Sequence, residues 1–184
     1  MNTLVFIRHG ETALAGTFCG HSDPEINPAG QQQIAACADA IARLDVRRIY
    51  SSDLRRAVQT AEIIGKRISV PVVLRPDLRE INFGDWEGLS WLQVEDRFPL
   101  EADQWLQEFP LRCAPGGEVY SAFTTRINAV IAPLLTETSS GTSALVTHRG
   151  VICYALKRFF GFSEQEAWMK TVPYGAVVVA GNHQ

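Results

Sequence analysis

The chain is a series of short apolar runs separated by stretches in which apolar residues recur every three or four positions. Five runs predict β-strands: residues 3–7, 48–51, 70–74, 142–147 and 176–180. The first, Leu4-Val5-Phe6-Ile7, holds no polar residue, as expected of a strand buried on both faces. Pro71 places the 70–74 run at a strand start or a sheet edge. Asn27-Pro28 is a helix start, N-cap followed by a proline at the first helical position, and Ile34, Ala38 and Ile41 share one face as far as about Leu44. Asp53 is placed to cap a second helix near 54–68, with Ala57, Ala61, Ile64 and Ile68 inward. Residues 76–90 lack helical period and predict an ordered loop, and the stretch on to about Phe109 predicts two short helices. Pro110 to Gly117 is a break. A long helix follows from Glu118 to about Glu137, with Val119, Phe123, Ile127, Val130 and Leu134 in step, then a turn at Ser139-Ser140-Gly141. Residues 149–160 carry a double apolar stripe, and a short helix is expected near 163–169. The order βαβαβ, helical insertion, αβααβ predicts an α/β protein of three layers, α-β-α, around a mostly parallel central sheet.

The length of 184 residues suits a single domain, 1–184, with the helical insertion at about 90–117. A net charge of −3 gives no support for nucleic acid or membrane as partner, and no uncharged apolar run reaches a membrane span of roughly 18 residues. Arg8 and His9 interrupt the first apolar run, which is therefore not expected to be a signal peptide. Cys19, Cys37, Cys113 and Cys153 lack C-x-x-C spacing and read as reduced thiols of a cytoplasmic protein.

Candidate chemistry gathers where strands end, which is where open α/β sheets place ligands. The first strand runs into Arg8-His9-Gly10-Glu11-Thr12, and a permanent cation beside a histidine suits an anion site in which the imidazole itself reacts. The 142–147 strand repeats the design with Thr147-His148-Arg149-Gly150. After the second strand, Arg56 falls in the first turn of a helix, where a cation opposes the helix dipole; either it points into solvent or it serves an anion held at that end. The loop from Arg79 to Gly88 mixes carboxylates with Phe83 and Trp86, which need burial, so one of its carboxyls is expected to face a dry site with a raised pKa. His21 and His183 read as ordinary loop and tail residues. Two arginines would repel a metal ion and fit a phosphate. Neither H-E-x-x-H nor a glycine-rich nucleotide loop is present.

Together, Arg8-His9-Gly10-Glu11-Thr12, Ser52-Asp53-Leu54-x-Arg56-Ala57-x-x-Thr60-Ala61, Glu80-x-x-Phe83-Gly84-x-Trp86-Glu87-Gly88 and Thr147-His148 resemble the histidine phosphatase family, the phosphoglycerate mutase-like superfamily. Within it the chain is most similar to α-ribazole phosphatases of cobalamin synthesis, through Cys19-Gly20-His21, Asn82 to Glu87, Gly116-Gly117-Glu118 and His148 to Val151. The resemblance implies a phosphoglycerate mutase-like fold, a small phosphomonoester as substrate, and no metal or other cofactor. It implies that His9 becomes a phosphohistidine, that Arg8, Arg56 and His148 neutralise the phosphoryl oxygens, and that Glu80 protonates the leaving oxygen and then activates water. Thr12, Cys19, Gly20 and Arg149 are the candidates for substrate contact. The chain departs from the family pattern at Ala15, often Asn, and at Arg149, often Gly. The first change removes a hydrogen bond to phosphate; the second either adds a cation for the substrate or faces the helix exterior. The competing readings are a broad-specificity sugar or nucleotide phosphatase, a phosphoglycerate mutase, and a phosphate-ester-binding pseudo-enzyme. The oligomeric state is open, a homodimer included.

Overall fold

The computed structural model describes residues 3–137 and 141–181; the turn expected at 139–140 and His183 lie outside them. In chain order the elements are β1 (Thr3–Arg8), α1 (Pro28–Ala42), β2 (Val46–Ser51), α2 (Arg55–Ile68), β3 (Val72–Leu74), α3 (Trp91–Arg97), α4 (Pro99–Glu108), α5 (Tyr120–Thr136), β4 (Thr142–Thr147), α6 (Arg149–Phe160), α7 (Glu164–Thr171) and β5 (Val177–Ala180). One sheet runs β3-β2-β4-β1-β5. It is parallel except for β5, which lies antiparallel to β1. No described helix is long and apolar enough to cross a membrane.

Alternation along the strands builds two cores. Leu4, Phe6 and Leu145 face one side, with Ile127 and Ile131 of α5 and Val151, Ile152 and Leu156 of α6. Val5, Ile7, Ala144 and Val146 face the other, with Ile34 and Ile41 of α1 and Ala57, Ala61 and Ile64 of α2. The neighbouring strands β1 and β4 therefore send their chains to opposite faces, β1 towards α1 and β4 directly into α6. That divergence opens a crevice beyond their carboxyl ends, the place such sheets use for ligands. A third cluster joins the insertion to the body: Trp86 and Phe83 pack with Val94 of α3, Ala102 and Trp105 of α4, and Phe18.

Three local expectations differ from the structure. Asp53 caps nothing: α2 begins at Arg55 with Leu54 as its N-cap residue and no side-chain cap. The Asp53 carboxylate instead takes a two-pronged bond from Arg79, at 2.6 Å on each oxygen. A paired guanidinium binds a carboxylate more strongly than a backbone N–H does. The free Arg55 N–H donates to Asp23, reaching in from another loop at 2.6 Å. The third strand starts at Val72, after Pro71, on the sheet edge. The long helix starts at Tyr120, so Val119 is its N-cap and is 53% exposed, while Ile131 completes the buried stripe.

Candidate active site

β1 and β4 are in register, with Arg8 opposite Thr147, and the His9 N–H donates to the Thr147 carbonyl at 3.0 Å. The two histidines that follow these strands meet, their ring centroids 5.1 Å apart. His9 Nδ1 lies 2.7 Å from the Gly10 carbonyl. A carbonyl only accepts, so Nδ1 carries the proton and Nε2 keeps its lone pair. Burial holds His9 well below the ordinary histidine pKa, with the Arg56 and Arg8 charges acting in the same direction, so the ring stays neutral. His148 is held down in the same way by burial and by Arg56. Its Nε2 is 2.9 Å from Ser52 Oγ, which itself accepts the Leu54 N–H. The Ser52 hydroxyl is placed to donate to Nε2, the arrangement that leaves the His148 proton on Nδ1.

Arg56 is 0% exposed, so it does not point into solvent. Its Nη1 donates to the Ser22 carbonyl at 2.6 Å, and its Nη2 to the carbonyls of Cys19 and Gly20 at 3.1 and 2.7 Å. Much of the guanidinium fork thus shapes the 19–22 loop. Arg8 is held from the far side of the sheet. Its Nη1 donates to the Thr171 carbonyl at 3.0 Å and to the Val172 carbonyl, and its guanidinium lies 3.9 Å from the Tyr174 ring centroid. After these bonds, Arg8 Nε, Arg56 Nε, His148 Nδ1 and Arg149 Nε remain buried without a partner. Buried donors are ordinarily satisfied, and a phosphoryl group is the anion that such a set fits.

Glu80 is 7% exposed. Its Oε1 accepts the Ile81 N–H at 3.0 Å and its Oε2 the Gly150 N–H, in the first turn of α6, at 2.9 Å. Burial raises its pKa and outweighs those two bonds and the arginine charges, as expected for one carboxyl of this loop. A side-chain Cβ at Gly150 would stand 2.4 Å from Glu80 Oε1, so only glycine lets the helix end come this close. Glu87, seven positions on, is the opposite case. Burial alone would raise it, but the Ser22 hydroxyl and the backbone N–H groups of Ser22, Phe83 and His21 hold it low. Those three N–H groups and that of Gly20 converge on its two oxygens at 2.7–3.0 Å. It is the anchor of the 19–22 loop.

These groups sit at one end of a cavity of about 380 Å³. Arg8, His9, Thr12, Cys19, Glu80 and Arg149 line it. Arg56 and His148 are fully buried behind it. Gly20 serves packing: a Cβ there would lie 2.1 Å from the Ile81 carbonyl oxygen. Arg149 faces the cavity and not the helix exterior, its guanidinium stacked 3.2 Å from the Trp168 ring centroid. Phe83, Trp105, Phe109, Tyr120 and Trp168 form the outer walls. Sequence reasoning did not single out Tyr174 or Arg126, gave Ser52 no role beyond its place in a motif, and read His21 as an ordinary loop residue. Its Nε2 donates to the Glu80 carbonyl at 3.1 Å.

A model of the histidine phosphatase superfamily, branch 1, matches residues 4–183. A glucosyl-3-phosphoglycerate phosphatase of Mycolicibacterium vanbaalenii is 35% identical over 159 residues, 81% of this chain and 70% of that protein. An adenosylcobalamin/alpha-ribazole phosphatase of Escherichia coli is 26% identical over 174 residues, 94% of this chain and 86% of that protein. A bifunctional protein of Mycobacterium tuberculosis is 31% identical over 148 residues, and there the chain spans only 40% of the relative's length. Among solved structures, the alpha-ribazole phosphatase of Shigella flexneri superposes with a TM-score of 0.87 at 26% identity, covering 99% of this chain and 91% of that one. A phosphoglycerate mutase of Thermus thermophilus gives 0.72 at 32% identity, covering 96% and 91%. With the sheet, the paired histidines and the nearly full-length match in agreement, the chain belongs to the histidine phosphatase superfamily, in its first branch.

Proposed function

We propose that this chain is a metal-independent phosphomonoesterase that works through a phosphohistidine on His9. The observation that carries the reading is a buried, neutral His9 with its Nε2 lone pair free, beside unpartnered N–H groups of Arg8, Arg56 and His148. Nε2 attacks phosphorus as the ester P–O bond breaks. The arginines and the His148 N–H stabilise the equatorial oxygens, where charge sits in a loose transition state. Glu80, whose burial raises its pKa and so favours the protonated form, gives its proton to the departing oxygen. The resulting carboxylate takes a proton from water, which attacks phosphorus, breaks the P–N bond and leaves inorganic phosphate and neutral His9. The cationic side chains supply the electrostatic role that a metal has in other phosphatases.

The substrate reading is α-ribazole 5'-phosphate, in cobalamin biosynthesis in the cytoplasm. The aromatic outer walls support it, since a flat heteroaromatic leaving group can stack there. Nearby charges are largely neutralised within the protein: Lys157 pairs with Glu164, Arg112 with Glu108 and Arg126 with Glu118. Arg149, which pairs with no carboxylate among the described ion pairs, favours a second reading in which the leaving group carries an anion, as in glucosyl-3-phosphoglycerate. The test is turnover of both compounds and of nitrophenyl phosphate with chelator present, together with acid trapping of the phosphoenzyme. Activity in chelator and an acid-labile, base-stable phosphoenzyme that is absent from His9→Ala are expected. A phosphoenzyme persisting in His9→Ala, or strict metal dependence, would overturn the mechanism; the better of the two natural substrates decides the leaving group.

A further inference from the structure

We propose that Arg126, together with Glu118, is a positioning residue for the general acid, fixing the peptide that holds the Glu80 carboxyl. The inference rests on the reading of Glu80 as the acid.

Arg126 projects from α5 and divides its N–H groups between the Glu118 carboxylate and one stretch of chain, residues 77–80. Its Nε and Nη2 grip the two Glu118 oxygens at 2.8 Å each. Its Nη1 donates to the carbonyls of Asp77 and Arg79 at 2.7 and 2.6 Å, and its Nη2 to the carbonyl of Glu80 at 2.9 Å. The last bond carries the argument. The Glu80 carbonyl and the Ile81 N–H belong to one planar peptide and point in opposite directions. That N–H is the one holding Glu80 Oε1, at 3.0 Å. Fixing the carbonyl from behind therefore fixes the donor in front, and His21 Nε2 on the same carbonyl adds a second restraint. Glu118 ties in the next two peptides: its carboxylate accepts the Asn82 N–H at 3.3 Å and its N–H donates to the Asn82 carbonyl at 2.9 Å. If the peptide turned, the carboxyl would lose one of its two holders. Placement errors well under 1 Å are costly to proton transfer. Arg126 itself is not among the residues that line the cavity, so it reaches the site through the groups it holds, the Glu80 peptide and the cavity-lining Glu118.

The experiment measures kcat across phosphomonoesters whose leaving groups run from nitrophenol to an alkyl alcohol. Arg126→Met is expected to lower kcat on the order of tenfold for alkyl phosphates and less than about threefold for nitrophenyl phosphate, the pattern of a weakened acid. Vanadate inhibition should stay within about twofold of the parent, since binding phosphate needs no acid. Added to Glu80→Gln, Arg126→Met should cost nothing further on alkyl phosphates. Glu118→Gln, which leaves the three carbonyl bonds in place, should give the same pattern in weaker form and is the deciding variant if Arg126→Met does not fold. An equal loss across the series, or no loss, in a folded variant overturns the proposal. If Glu80→Gln is itself indifferent to the leaving group, the acid assignment fails; if Glu80→Gln is selective and the clamp variants are not, only this inference fails.

Discussion

A carboxyl that must deliver one proton and later accept another works best when its pKa lies near the working pH, and the protein sets this at single residues. Glu80 and Glu87 share a loop, yet burial lifts one while converging N–H donors hold the other down. The contrast supports the proposed role of Glu80 as the acid and gives Glu87 a structural task. The same reasoning gives a pH profile. On the proposed mechanism, the first chemical step needs neutral His9 and protonated Glu80. His9 protonates only well below the ordinary histidine value, and Glu80 ionises only above the ordinary carboxyl value. For alkyl phosphates, kcat/KM should therefore form a bell whose falling alkaline limb is the ionisation of Glu80. Glu80→Gln should remove that limb and lower the rate about 10²–10⁴-fold, with a much smaller loss for nitrophenyl phosphate. An alkaline limb unchanged in Glu80→Gln would assign the proton to another group.

At the scale of elements, the first turn of α6 and the Glu80 loop are fitted to each other through Gly150. A methyl there would overlap the Glu80 carboxyl at 2.4 Å, and the loop that must yield is already tied to α5. Gly150→Ala is expected to destabilise the fold by about 1–3 kcal/mol, as overpacking does. It should also reduce alkyl phosphate turnover more than nitrophenyl phosphate turnover; thermal denaturation and the same substrate pair check both. Equal activity on the two substrates would show that the contact is loose. How much of this was legible in the sequence depends on how far each residue's partners lie. Arg8, His9 and His148 could be picked out because apolar strands lead into them and fix where they emerge. The aromatic residues of the 79–88 loop marked one of its carboxyls as dry, and the family resemblance pointed to Glu80. The roles of Arg126, Ser52 and Tyr174 could not be read, because each acts on a partner dozens of positions away, as Arg126 does on the Glu80 carbonyl. Asp53 was misread for the same reason: Arg79 outcompetes the nearby N–H groups, which no local pattern discloses.

Across the whole molecule, the site affects stability through proton linkage. His9 and His148 are buried neutral, whereas in the unfolded chain they take up protons near pH 6.5. Below that value the unfolded state binds more protons, so stability falls as the pH falls. Glu87 and Asp53, both held below their ordinary values, add a second loss as the pH drops through the carboxylate range. Glu80 has the opposite sign: its raised pKa subtracts stability as the pH rises and offsets part of the histidine effect. The melting temperature should therefore fall between about pH 7.5 and about pH 5.5, and His148→Gln should flatten the slope. A melting temperature constant over that range would show that the histidines titrate normally in the folded state. The placement of β1 has a further consequence, for synthesis. His9, the proposed nucleophile, is made well before its surroundings: its strand lies between β4 and β5, and the neighbouring Arg8 is steered by the carbonyls of Thr171 and Val172, 163 and 164 positions further on. At about 5–20 residues per second of translation, the motif waits roughly 8–33 seconds for those partners to be made. Until then the nascent chain carries its nucleophile without the architecture that makes it reactive, so enzymatic competence should arrive in one late step.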